Sequence, residues 1–252
     1  MPGHLVALAC LVEAYYIRRI AVKLDVATDN QVHDYLRALH FFEYWKPSFN
    51  RRTFTDHDLD TNLCLWQVDE SMINDYARRA QLYFAQQLPQ HSLDVLGLNW
   101  VEMFNNICDH ASSPVQGYYF TQHYPNRQQL VTAVCDFGIG IPTSINTIWQ
   151  KQKKPRLADT DALRAALRKR MTTQATPRNR GFGLDNLTTS LRALGGELTI
   201  LSNFAHLQQS PDGKLDIQPV ADYFQGTLLI VTLNTATLPL VEEELTDEEF
   251  SF

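Results

Sequence analysis

The chain is poor in cysteine, and its four cysteines, Cys10, Cys64, Cys108 and Cys135, are far apart and form no Cys-x-x-Cys pair. That spacing suggests neither a thiolate zinc site nor a disulfide framework, and buried thiols in a reducing compartment are the simplest account. Long hydrophobic runs are missing too. The most apolar stretch near the start, "LVALACLVEAYYI", is too short to cross a bilayer, contains Glu13 and has no basic region before it. A membrane association is not expected, and the reading is a cytoplasmic protein. The body also lacks an excess of charge. Of 28 acidic residues, six fall in "EEELTDEE" at 242–249, and the remaining 22 match the 22 lysines and arginines. Such an acidic run reads as a solvated tail first and a partner-binding segment second. There is no internal repeat, and no low-complexity segment except this tail.

What is present is ordinary globular composition, 44% hydrophobic and 20% charged over 252 residues, enough for one large or two small cores. A helical run from about Leu5 to Arg19 is followed by a strand-like "IAVKLDV" and by "TDNQVHDYLRALHFF", where Thr28 to Asn30 can cap a second helix. "KPSFNRRTFTDHDLDTN" is polar, broken by Pro47, and reads as a linker. A short strand "LCLWQV", a helix "ESMINDYARRAQLYFAQQL" and a second helix containing "NWVEMFNNICDHA" come next. In that second helix Val101, Phe104, Cys108 and Ala111 form an apolar stripe at steps of three, four and three. Glu102, Asn106 and Asp109 form a polar stripe on a different face, and a merely solvated face is the alternative to a functional one.

The strand "QLVTAVCD" then ends at Asp136 and runs into Gly138, Gly140 and Ile141. Glycine serves where a backbone turns sharply or approaches something closely, so the choice is between a simple strand-terminating turn and a ligand cradle. Lys151 to Arg180 holds ten Lys or Arg against Asp159 and Asp161 alone. It leads into Gly181 and Gly183, which precede a helix with Leu184, Leu187, Leu191 and Leu194 at helical spacing. Small residues at a helix N-terminus form a ready anion site, and a plain loop-to-helix cap is the other reading. Two strands, "GELTILSNF" and "QGTLLIVTLN", close the body around a polar excursion rich in Pro, Gln and Asp. The order predicts an α/β chain with a mixed, mainly antiparallel sheet covered by helices.

Glu-x-x-x-Asn on a helix, then Asp-x-Gly-x-Gly-Ile, then Gly-x-Gly-Leu, then Gly-Thr on a strand occur here in one order. In this the stretch from about 60 to 235 resembles the GHKL superfamily of ATP-binding domains. The resemblance implies a two-layer sandwich with helices on one face of the sheet, and ATP with Mg²⁺ as ligands. It implies that Asp136 reads the adenine amino group, a donor that suits an acceptor-only carboxylate. Gly138, Gly140 and Ile141 would pass beside the base and sugar, and Thr227, after Gly226, would complete the adenine pocket. Asn106 matches the Mg²⁺ ligand, Asp109 lies one turn on near the nucleotide, and Glu102 matches the general base. Gly181, Gly183 and Leu184 resemble the end of a lid whose Arg178 and Arg180 would contact phosphates.

No helical hairpin surrounds His33, so the sensor-histidine-kinase branch does not fit, and His33 and His40 read as packing histidines. The arrangement is most similar to anti-sigma-factor serine kinases, and residues 1–52 look like the second half of a STAS domain. This divides the chain into a STAS-like partial α/β segment (1–52), an ATP-binding domain (53–240) and the acidic tail (241–252). Two functions follow from the resemblance: hydrolysis or transfer of the γ-phosphate, with Glu102 activating water or a Ser/Thr hydroxyl, or an ATP-gated module for a protein partner, for which a STAS-like domain is a candidate. The resemblance also leaves a homodimer open. Nucleic acid is a poor fit, because the body is neutral and no basic stripe interleaved with aromatics stands out.

Overall fold

The structure is a computed structural model that describes residues 2–49, 61–62, 65–110, 113, 115, 117–168 and 183–241, with the side chains of 106–110 left aside. It is an α/β fold built on one five-stranded sheet in which every strand pair is antiparallel. In chain order come α1 (Pro2–Tyr16), α2 (Gln31–Ala38), β1 (Trp66–Gln67), α3 (Ile73–Gln87), α4 (Asp94–His110), β2 (Tyr118–Tyr124) and β3 (Gln129–Asp136). Then follow α5 (Ile141–Lys151), α6 (Asp159–Ala166), α7 (Gly183–Ala193), β4 (Glu197–Gln209) and β5 (Leu215–Asn234). Across the sheet the strands lie in the order β1-β2-β3-β5-β4.

Strand β3 explains the layering. Its alternate residues Leu130 and Val134 join a core with α3 to α7, whereas Ala133 and Cys135 join a second core with α1 and α2. A strand that is apolar on both faces has to be covered on both. The helices expected from the sequence, α3, α4 and α7, form one layer together with α5 and α6, which the sequence did not announce; in addition, α1 lies across β2, β3 and β5 on the opposite face. The apolar face of α4 is broader than the predicted stripe. Leu96, Trp100, Met103 and Phe104 are buried and Val101 is only partly so, while the side chains of Cys108 and Ala111 lie outside the described residues. Phe104 packs edge-on to Tyr119 of β2 at 4.7 Å, and Trp66 stacks on Tyr76 of α3 at 4.2 Å. Among the described residues no helix is long and apolar enough to cross a membrane.

Two local expectations change. Residues 20–26 are extended chain with no sheet partner: Ile20 and Val22 face solvent, and only Leu24 and Val26 touch the second core. The polar excursion before the last strand is itself largely strand, because β4 and β5 continue as a hairpin beyond the sheet, turning at Gly213 (φ +82°). There Asp216, Gln218 and Pro219 are exposed, so their composition reads as loop. Asn30 caps α2 through Val32 N–H (2.8 Å), as expected. His33 packs on Phe42 and His40 on Phe49, in keeping with packing roles.

Glu13 fastens α1 to the sheet. It is 3% exposed and accepts from Trp45 Nε1 (2.6 Å), Tyr118 Oη (2.9 Å) and Gln67 Nε2 (3.3 Å), so a single carboxylate joins α1, the aromatic segment after α2, β1 and β2. Removing one partner of a buried, hydrogen-bonded charge strands the others. Glu13→Ala is expected to lower stability by roughly 2–4 kcal/mol in urea unfolding, with Glu13→Gln losing less because one carbonyl oxygen still accepts. A loss under about 1 kcal/mol for Glu13→Ala would remove this tie from the account.

Candidate functional site

Antiparallel register sets three polar side chains in a row. Asp136, the last residue of β3, is paired with Thr227 of β5, which is paired with Ser202 of β4. Directly opposed residues share a face, and two residues along each strand stand Val134, Leu229 and Ile200 of the main core. The row therefore faces the α3–α7 layer at the end of the sheet where β3 gives way to the glycine turn.

Asp136 is 3% exposed and has no cationic partner among the described residues. Its Oδ1 accepts from Gly138 N–H at 2.7 Å, and Thr227 N–H also donates to it. Burial raises its pKa from 3.8 to about 7 against the opposing pull of those two amides. Gly226 has φ +79°, and a side chain there would strike the Asp136 carbonyl and carboxylate and Gly138 N. Only glycine lets β5 pass so close.

Ser202 and Asn203, which the sequence reading did not single out, hold both glycine turns. Ser202 Oγ accepts from Ile141 N–H (3.0 Å), donates to Gly226 C=O (2.8 Å) and lies 3.0 Å from Thr227 Oγ1, which uses the full capacity of one hydroxyl. Asn203, in the left-handed region at φ +53°, donates through Nδ2 to Thr143 Oγ1 (2.7 Å) and Ile139 C=O (3.2 Å). Its Oδ1 is buried without a hydrogen-bond partner and abuts Gly140, which at φ +79° begins α5 and has no room for a side chain. The available signal was an asparagine in the middle of an apolar strand, "LTILSNF", a residue averse to strands but tolerant of positive φ.

The structure thus brings together Asp136, Gly138, Gly140, Ile141 and Thr227. Glu102 is half-buried on α4, the helix that packs against β3 in the same layer. Asn106 and Asp109 occupy the last turns of α4, with side chains outside the described residues, and Arg178, Arg180 and Gly181 lie outside them altogether. Gly183 is the first residue of α7, and Leu184 is buried in the main core. Among the described residues no group of three or more His, Cys, Asp or Glu is placed to hold a metal ion. No family model matches the chain, and no curated protein matches it.

The Asp136 carboxyl carries a stability signature. With a pKa near 3.8 unfolded and about 7 folded, the folded state binds more protons between these values, so stability falls as pH rises from about 4 to 7. Asp136→Asn keeps an oxygen for Gly138 N–H and removes the ionisation. The variant is expected to match the wild type near pH 4 and to exceed it by up to roughly 4 kcal/mol at pH 8, measured by denaturant unfolding. A variant less stable than the wild type at pH 8 would contradict the arrangement.

Proposed function

We propose that the chain is a GHKL-type Mg²⁺-ATP-binding protein that hydrolyses ATP or passes its γ-phosphate to a serine or threonine of a protein partner, working in the cytoplasm. The observation that carries this reading is Asp136: a buried carboxyl with no counter-cation among the described residues, set between Gly138 and Gly226 at a strand end. An unpaired buried carboxyl costs stability, and groups of that kind concentrate at functional sites. Two backbone amides use only part of its acceptor capacity, and the exocyclic amine of adenine supplies the donor it lacks. Thr227, beside it in the row, adds a hydroxyl. The buried acceptor, with the Thr227 hydroxyl beside it, suits the amine edge of an adenine ring.

Glu102 orients the attacking hydroxyl or water, and the carboxamide of Asn106 supplies an oxygen for Mg²⁺, which would neutralise phosphate charge when bound. Binding an amine to Asp136 requires the ionised carboxylate, so ATP drives its proton off. Affinity is therefore expected to rise from pH 6 to pH 8, with proton release visible as a buffer-dependent heat in calorimetry. A pH-independent affinity would remove Asp136 from the adenine contact.

Following the γ-phosphate of labelled Mg²⁺-ATP tests the chemistry. Glu102→Gln is expected to retain ATP affinity within about threefold while losing on the order of 10²–10⁴ in phosphate release or transfer. Unchanged turnover would sink the assignment of the base. Intact ATP binding with no turnover in the wild type would leave an ATP-gated interaction module.

A further inference from the structure

Ser202 is fully buried, and its hydroxyl has one proton to give and two lone pairs to offer. Three groups surround that oxygen. Ile141 N–H at 3.0 Å can only donate, and Gly226 C=O at 2.8 Å can only accept. A hydroxyl and a carbonyl oxygen approach to 2.8 Å only with a proton between them, and the carbonyl has none, so the Ser202 proton lies on the Gly226 side. The third neighbour, Thr227 Oγ1 at 3.0 Å, therefore supplies its own proton to the remaining lone pair of Ser202. Both fixed partners are backbone groups of the glycine turns, so no side-chain rotation changes this count.

The consequence falls on Thr227, which is only partly buried and stands beside Asp136 in the row across the end of the sheet. A free threonine hydroxyl turns to serve a donor or an acceptor, and so tells an amine from a carbonyl poorly. With its proton committed to Ser202, Thr227 Oγ1 has only lone pairs left to show. Its backbone N–H is committed as well, to the Asp136 carboxyl. Directly opposed residues of an antiparallel pair have Cβ atoms about 5 Å apart, so one small group of a ligand can meet both side chains. Once Asp136 is ionised, that group meets two acceptors and no donor.

Resting on the nucleotide reading above, we propose that Ser202 is a positioning residue for base recognition: it takes the Thr227 proton, makes Thr227 Oγ1 an acceptor only, and so selects a base whose exocyclic group is an amine over one whose exocyclic group is a carbonyl. Ser202 has no exposed surface and acts through Thr227 alone. The selection has an attractive and a repulsive half. An amine gives a hydrogen to each acceptor, whereas a carbonyl brought between them leaves its own oxygen and both acceptors without a donor.

Calorimetric competition between ATP and inosine triphosphate at pH 8 tests this on Ser202→Ala, Thr227→Val and the double variant, with thermal melts and far-UV circular dichroism to establish that each is folded. In Ser202→Ala the Thr227 hydroxyl is free to donate to a carbonyl, so the preference for ATP is expected to shrink at least about fivefold while inosine triphosphate binds more tightly. Thr227→Val leaves Ser202 its bonds to both turns, so it carries the test even if Ser202→Ala does not fold. It is expected to shrink the preference by a similar factor, and adding Ser202→Ala to it is expected to move the ratio less than about twofold. Loosened turns alone would weaken both nucleotides together. A ratio that stays at the wild-type value in Thr227→Val, or in a folded Ser202→Ala, overturns the proposal and leaves the nucleotide reading standing. A wild type that binds no ATP overturns that reading and the proposal with it.

Discussion

The burial of one carboxyl at the end of β3 is the constraint around which the molecule is arranged. Asp136 is 3% exposed, and the elements near it lower the cost of keeping it there. Gly138 and Thr227 present backbone amides, Gly226 contributes the absence of a side chain, and Ser202 links the two glycine turns through Ile141 N–H and Gly226 C=O. The residual cost remains visible as a pKa raised to about 7. A fold selected for stability alone would put an apolar residue in this position.

The strand that ends at Asp136 is clamped from both sides. On one face α4 packs against it, with Trp100 Nε1 donating to Thr132 Oγ1 (3.1 Å) and Thr132 bonded in turn to Thr121 (2.8 Å). On the other face Cys10 Sγ of α1 donates to Cys135 C=O (3.2 Å), one residue before the carboxylate. Cys10 and Cys135 are buried free thiols, and burial pushes the Cys135 thiol well up, so both act as small packing groups. Helix α1, held by Glu13, is thus joined to the strand bearing the candidate site by apolar packing and by the Cys10 hydrogen bond.

How much was legible in the sequence depended on how far apart the determining residues lie. Helices α3, α4 and α7 and strands β1 and β3 to β5 are signalled locally by periodicity and caps, and the Asp136 turn by its glycines; β2 was missed, because "YYFTQHY" is buried on both faces and shows no alternation, and α5 and α6 were read only as the run from the glycine turn into a basic segment. The antiparallel sheet with a helical layer followed from the order of those elements. The second layer was harder, because α1 lacks the amphipathic contrast that would say which side is buried; the residue that does say so, Glu13, finds its donors at Trp45, Gln67 and Tyr118. Ser202 and Asn203 were not legible for the same reason. Their role exists only through a register that sets them against Gly140 and Gly226, 62 or more and 23 or more residues away in sequence respectively, and through an αL conformation at Asn203. Residues 20–26 carried a strand's alternation but pair with no strand among the described residues.

Calorimetric competition between ATP and inosine triphosphate at pH 8 tests the central claim most directly, because the two differ where Asp136 would read the base. One presents an amine donor there, the other a carbonyl acceptor that an ionised carboxylate repels. A site built to receive a donor is expected to prefer ATP by at least about 100-fold, and Asp136→Asn is expected to erase most of that preference. Equal binding of the two nucleotides, or a preference that survives Asp136→Asn, would contradict the account.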